Sequence, residues 1–218
     1  MARVTMRRTA SVWGPPPPRL YRFIHVVENA FPRRRLIFAV LGCSDGRFVL
    51  PLARRGHSVV ALDVDTVALF GGAKKGPSGK VAVIGLTERL RRERLRHLVT
   101  IQHADYTTVT PTASHGVFTS GSIHYSRNLA VPVAKLMERI KPFVRPHGYL
   151  YIDYMLPVEA RHASRQNYLR RGELRKYFQA SDWRILMDQV RPRFIERAHV
   201  DNPVDHYHQL GYFLAQRL

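Results

Sequence analysis

Cysteine is all but missing from this chain. A single thiol, Cys43, stands among 218 residues, which excludes an internal disulfide and any cysteine-rich zinc site and suits a reducing compartment. Acid is scarce as well: 16 Asp and Glu face 35 Lys and Arg, a formal charge of +19. That imbalance points to an acidic partner such as RNA, an acidic peptide or an anionic metabolite, although arginines scattered through helices and loops also follow from a GC-rich genome. No apolar run approaches the roughly 18 residues of a membrane span. Met1 to Arg8 is not followed by a signal-peptide core, so a cytoplasmic protein is expected. The dinucleotide fingerprint Gly-x-Gly-x-x-Gly is absent, and Gly79-Lys80 runs into Val81 where a phosphate loop needs Gly-Lys-Ser or Thr. Lys74 to Lys80 therefore reads as a solvated basic linker.

What the chain does contain is concentrated between residues 36 and 65. The apolar run Leu36 to Leu41 has the character of a buried parallel strand. A glycine-punctuated turn, Gly42-Cys43-Ser44-Asp45-Gly46-Arg47, follows directly. Phe48, Leu52 and Ala53 give the next helix an apolar face, and Gly56 stops it. A second strand, Val59 to Leu62, ends on Asp63. Strand, glycine turn, helix, strand and terminal acid make the nucleotide half-site of a doubly wound α/β sheet, with the carboxylate placed for ribose hydroxyls. The same Gly42-x-Ser44-x-Gly46 spells a hydrolase nucleophile elbow. That fold needs several strands and an oxyanion loop upstream, and no His-Gly-Gly run precedes the serine.

The segment resembles the first motif of class I S-adenosylmethionine-dependent methyltransferases, particularly the small tellurite-resistance and thiopurine methyltransferase types. Their Asp-Leu-Gly-Cys-Gly-x-Gly-Arg and helix-terminal Arg-Gly correspond to Val40 to Arg47 and Arg55-Gly56. Val40 replaces the usual acid and Ser44 the middle glycine. The resemblance implies a Rossmann-like α/β fold with a seven-stranded, mostly parallel sheet and helices on both faces. It implies S-adenosylmethionine as cofactor and S-adenosylhomocysteine as product. It also implies cofactor-binding roles for Gly42, Cys43, Ser44, Gly46, Asp63, Val64 and Ser120, with Asp105 and Tyr106 at the adenine.

Residues 1 to 18, basic and ending in Pro15 to Pro18, read as a flexible leader, and 19 to 218 as one domain. Leu20 to Phe31 has helical apolar spacing. In the families resembled such a helix caps the active site, which makes Tyr21 and His25 candidate substrate contacts. Thr87 to Leu98 reads as an arginine-studded helix, Leu98 to Gln102 as the third strand and Gly116 to Ser120 as the fourth. The loop Gly121 to Tyr125 then falls at the carboxyl edge of the sheet, where catalytic groups gather. His124 is its one side chain able to act as a base near neutral pH, and Tyr125 and Ser122 stand beside it. Leu129 to Lys141 and Arg171 to Ala180 read as helices; Tyr149 to Tyr154, Trp183 to Val190 and His208 to Gln216 read as strands. Tyr154 is a further substrate candidate.

The Asp/Asn-Pro-Pro-Tyr loop of amino-methylating nucleic-acid enzymes is missing. The expected acceptor is therefore a small molecule or peptide side chain, with RNA or a nucleotide as the alternative, and a non-catalytic binding protein as a third reading resting on Val40 and Ser44. His206 and His208 share a strand face and, with His199, invite a zinc reading or a tellurium or selenium one. No acid stands at a convincing spacing, so no metal is expected.

Overall fold

The computed structural model describes residues 11 to 32, 34 to 123, 131 to 159, 168 to 200, 202, and 204 to 218. Helix α1 (Pro18–Ala30) precedes β1 (Ile37–Leu41), α2 (Val49–Arg54), β2 (Ser58–Asp63), α3 (Thr66–Phe70), β3 (Gly72–Gly76), β4 (Gly79–Val83), α4 (Leu86–Arg92), β5 (Val99–His103) and β6 (Ser114–Ser120). Then come α5 (Val133–Ile140), β7 (Val144–Met155), β8 (Trp183–Val190), β9 (Phe194–Glu196), β10 (His206–His208) and β11 (Leu210–Arg217). Seven strands form one sheet in the order β5-β2-β1-β6-β7-β11-β8. The first five pair in parallel, and β11 runs antiparallel to both β7 and β8. This is the expected mostly parallel architecture.

The central strands carry apolar residues on both faces because both faces are covered. On one face Leu20, Phe23, Ile24 and Val27 of α1 join Phe38, Phe118 and Tyr151 in the core. Phe118 and Tyr151 stack there at 4.8 Å with an interplanar angle of 4°. On the other face Leu136, Met137 and Ile140 of α5 meet Leu41, Val117 and Ile152. No helix among the described residues is long and apolar enough to cross a membrane.

Several elements differ from the sequence expectation, among them the last strand of the sheet, which begins at Leu210 and not at His208, because His206–His208 pairs with Phe194–Glu196 in a hairpin of its own. The basic linker is a β-hairpin, β3 paired with β4 from Gly72↔Val83 to Gly76↔Gly79. Helix α4 ends at Arg92, well short of Leu98. Its stop is a left-handed Arg94, φ 58°, with Leu95 N–H donating to Leu90 O and Arg94 N–H to Arg91 O, the paired bonds of a Schellman end made without glycine. The segment expected to be a helix from Arg171 is a short 3₁₀ turn, Glu173–Tyr177.

The leader is not free from Ser11 onward. Ser11 Oγ and Val12 N–H donate to the Asp45 carboxylate at 2.7 and 2.9 Å, and Arg47 Nε donates to Pro15 O at 2.9 Å.

Candidate active site at the carboxyl edge of the sheet

The glycine turn leaves β1 with Gly42 at φ 74° and Gly46 at φ 90°, a region open to glycine and costly to other residues. A Cβ on Gly42 would lie 2.7 Å from Ser122 Cβ, so the turn also depends on close approach. Gly42 and Cys43 N–H both donate to Leu62 O at 2.9 Å, fastening the turn to the end of β2. The Cys43 side chain is buried and its thiol pKa is pushed well up, first by burial and then by the Asp63 charge. It is a core residue whose backbone alone belongs to the turn.

Ser44 adopts the left-handed conformation, φ 48°. Its N–H donates to Asp63 Oδ2 at 2.7 Å, Asp65 N–H donates to Asp63 Oδ1 at 2.9 Å, and its Oγ accepts the Trp13 indole N–H at 2.8 Å. Asp63 thus holds the turn while sitting where the half-site requires it. Each of its oxygens accepts one backbone bond here, and a carboxylate offers about four acceptor positions, so the capacity to take two ribose hydroxyls remains. Val64 lies alongside, its carbonyl 3.2 Å from His103 Nε2.

Asp45 is 1% exposed and opposes the buried Arg89, whose Nη1 is 3.4 Å from Oδ1. Burial lowers the Arg89 pKa and Asp45 partly offsets this. Arg91 and Arg92 both pair with Glu88. Arg89 of α4 is thus held inside the protein, while Arg91 and Arg92 stay on its surface beside Glu88.

Across the edge, β6 delivers Ser120 and Gly121 to Asp153 of β7. Ser120 Oγ donates to Oδ2 at 2.8 Å and Gly121 N–H to Oδ1 at 2.9 Å, while Arg19 Nη2 of α1 reaches Oδ2 at 3.0 Å. Asp153, Arg19 and Trp13 did not stand out in the sequence. Asp153 looked like one polar residue inside an apolar strand, and such an acid at a strand's carboxyl end is the signal that could have found it.

Most of the other expected contacts are engaged with neighbours within the protein. Ser122 is buried, bonded to Thr119 Oγ1 at 2.5 Å and packed under Gly42, so it shapes the turn. Tyr154 is fully buried in the layer on α5's side, its ring lying over Gly211, its hydroxyl beside Asp188 and its pKa pushed up to about 12 by burial. Tyr106 is packed into that same layer. Asp105 Oδ1 accepts Thr107 N–H and Oγ1, both at 2.8 Å, and caps a local turn. Helix α1 runs away from the site toward the amino edge. His25 is 3.4 Å from Glu28, which in turn meets His57 just ahead of β2. Tyr21 is exposed on the helix surface. Neither reaches the glycine turn. His124 and Tyr125 fall outside the described residues.

The strand order, the glycine turn and the acid ending β2 define the fold of class I S-adenosylmethionine-dependent methyltransferases. No protein-family model and no curated protein matches the sequence. Solved structures do match. TehB from Haemophilus influenzae has a TM-score of 0.61 at 16% identity, covering 89% of this chain and 62% of TehB, so the chain spans less than two thirds of TehB's length. Magnesium protoporphyrin IX methyltransferase from Synechocystis PCC 6803, with bound S-adenosylmethionine, gives 0.56 at 14% identity over 92% of this chain and 80% of the enzyme. The 1,6-didemethyltoxoflavin-N1-methyltransferase of Burkholderia thailandensis, holding 1,6-didemethyltoxoflavin and S-adenosylhomocysteine, gives 0.56 at 16% identity over 91% and 77%. At these identities the likeness is one of fold.

Proposed function

We propose that the protein is an S-adenosylmethionine-dependent methyltransferase acting on a small molecule or a peptide side chain in the cytoplasm. The observation that carries this reading is the bond from Ser44 N–H to Asp63 Oδ2 at 2.7 Å, which locks the glycine turn onto the ribose-seeking acid. In this reading the Gly42 to Gly46 backbone holds the methionine end, Asp63 takes the ribose hydroxyls, and Asp105 lies toward the adenine. When bound, the cofactor supplies an electrophilic methyl on a sulfonium sulfur. The protein's own contribution is alignment and exclusion of water, with His124 accepting a proton where the acceptor is a hydroxyl or amine.

Calorimetric titration with S-adenosylmethionine and S-adenosylhomocysteine, repeated on Asp63→Asn, tests it. Micromolar binding that the substitution weakens at least about tenfold is expected, since two hydroxyl bonds to a charged acceptor are lost. Native protein that binds neither ligand would leave a methyltransferase fold turned to non-catalytic binding. The charge of +19 favours a second reading, RNA or a nucleotide as acceptor. Salt-sensitive RNA association would support that reading, and no association at low salt removes it.

A further inference from the structure

The insert between β8 and β11 rises at the carboxyl edge, because β8 runs parallel to the central strands and ends there at Val190. It contains the β9 and β10 hairpin. The ladder sets His206 opposite Glu196 and His208 opposite Phe194, with Tyr207 paired to Ile195. Alternation along a strand and direct cross-strand pairing put His206, His208 and Glu196 on one face. Ile195 and Tyr207 take the other face and are exposed. His199 is brought to the same group by a two-way backbone bridge with Asn202, with N–H to O distances of 2.8 and 3.2 Å.

The result is three imidazoles around one carboxylate oxygen. Glu196 Oε2 lies 2.9 Å from His208 Nε2, 3.7 Å from His206 Nε2 and 3.8 Å from His199 Nε2. Ligand atoms of Glu196, His199 and His206 all fall within 4.8 Å of one another. Tetrahedral zinc with bonds of about 2.0 to 2.1 Å sets its ligands roughly 3.3 Å apart, so the carboxylate oxygen of Glu196 would close on His199 and His206 by about half an ångström each. His206 is also prepared as a ligand. Its Nδ1 lies 2.8 Å from Val204 O, an acceptor, so the proton sits on Nδ1 and the Nε2 lone pair is directed into the cluster. His208 differs, since its Nδ1 is buried without a hydrogen bond among the described residues. A proton there would be stranded, so it belongs on Nε2, where it is donated to Glu196. His206 and His208 are 7% and 8% exposed, a setting in which a surface ion pair would not need three rings for one carboxylate.

We propose that Glu196, His199 and His206 form a three-ligand site for a divalent transition-metal ion of the zinc class, with His208 orienting the carboxylate and the fourth coordination position open to an exogenous ligand. Three protein ligands with an open fourth place are the pattern of zinc sites that handle a substrate or water. The site adjoins the glycine turn, because the His199 ring is 5.2 Å from that of Trp13, whose indole is bonded to Ser44. The metal proposal stands on the hairpin's own geometry and does not depend on methyl transfer.

The test uses the full chain, stripped of metal by chelation and dialysed. Zinc affinity is measured by competition with a chromophoric chelator, and coordination is read from the visible spectrum of the cobalt(II) form. One tightly held ion per chain is expected, with the strong bands of four-coordinate cobalt. Glu196→Gln and His206→Ala should each weaken zinc binding by about a hundredfold or more, and His208→Gln by about tenfold, as loss of an outer partner does. His97→Ala, remote from the hairpin, should change nothing. Circular dichroism of the metal-free variants separates lost ligands from lost folding, and the isosteric Glu196→Gln keeps the test decisive if an alanine variant unfolds. Native protein that binds zinc no more tightly than Glu196→Gln, or cobalt with only the weak bands of six-coordination, overturns the proposal.

Discussion

The indole N–H of Trp13 donates to the Ser44 hydroxyl at 2.8 Å, and Ser44 is the residue of the glycine turn held at φ 48° without being glycine. A left-handed conformation costs a residue with a Cβ about 1 to 2 kcal/mol, while a neutral hydrogen bond contributes about 1 kcal/mol. The two effects nearly cancel. Ser44→Gly should therefore leave stability within about 1 kcal/mol of native, and Trp13→Phe should cost about 1 kcal/mol. In the Trp13→Phe background, Ser44→Gly should become stabilising by about 1 kcal/mol, as only the strain is left to relieve. Urea unfolding of the four proteins reads the coupling, and equal effects of Ser44→Gly in both backgrounds would show that the two residues act independently.

Gly42 and Ser122 make a second such pair. A methyl on Gly42 would meet Ser122 Cβ at 2.7 Å at a backbone φ of 74°, so Gly42→Ala carries both strain and a clash. A loss of about 2 to 4 kcal/mol is expected. Adding Ser122→Gly removes the clashing atom and should restore part of the loss, with the backbone share remaining. Thermal unfolding of the single and double variants decides this, and no recovery in the double variant would mean that the obstruction lies elsewhere.

The first half of this site was legible because its signals are local. An apolar run, two glycines and a strand-terminal acid name the turn without any tertiary knowledge. The hairpin of β3 and β4 was not, since Gly-Ala-Lys-Lys-Gly and Gly-Lys-Val-Ala-Val have too little apolar alternation to announce strands. The end of α4 was hidden for a similar reason, as its left-handed stop is Arg94 and not glycine. Glu196 stayed out of the histidine group because only the β9 and β10 register sets it opposite His206. Ser122 and Tyr154 misled in the opposite sense, since nothing in the sequence says which face of a loop or strand looks inward.

Lys74 of that unexpected hairpin reaches Asp65 at 2.5 Å, and Asp65 also caps α3 by accepting Ala68 N–H at 3.1 Å. Partial burial alone would raise the Asp65 pKa, but the Lys74 ammonium and the Ala68 amide more than offset it, leaving the carboxyl below its ordinary value. A depressed native pKa stabilises the fold at every pH above the unfolded value, near 4, and that contribution fades as pH falls through the native one. Asp65→Asn keeps the cap, since Asn serves there as well as Asp, and turns an amide nitrogen toward Lys74 where the charged oxygen stood, which removes the ion pair. It should lose about 0.5 to 1 kcal/mol at pH 7 and show a flatter fall in stability below pH 4. Urea midpoints at pH 7 and pH 3 check both, and parallel acid limbs in the two proteins would rule the ion pair out as the cause.

Asp153 is the junction of α1, β6 and β7, taking Arg19, Ser120 and the Gly121 amide on two oxygens. Its pKa is raised because burial outweighs the opposing charge of Arg19 and the bonds from Ser120 and Gly121. A raised carboxyl binds its proton more tightly in the native state. Stability should therefore decline as pH rises from the ordinary Asp value through the native one, and hold level above it. Asp153→Asn abolishes that slope but is not equivalent to protonation. Its amide nitrogen would face the Arg19 guanidinium, donor against donor, and Arg19 would lose its counter-charge. A cost of about 2 to 3 kcal/mol at pH 7 is expected, below that of a fully buried pair because Arg19 keeps some contact with water. Arg19→Gln should cost less, and the double variant Arg19→Gln/Asp153→Asn less than the sum of the two, since two neutral amides can pair. If the double variant loses the full sum, Asp153 acts through Ser120 and Gly121 alone, and the edge of the site is held by β6 without help from α1.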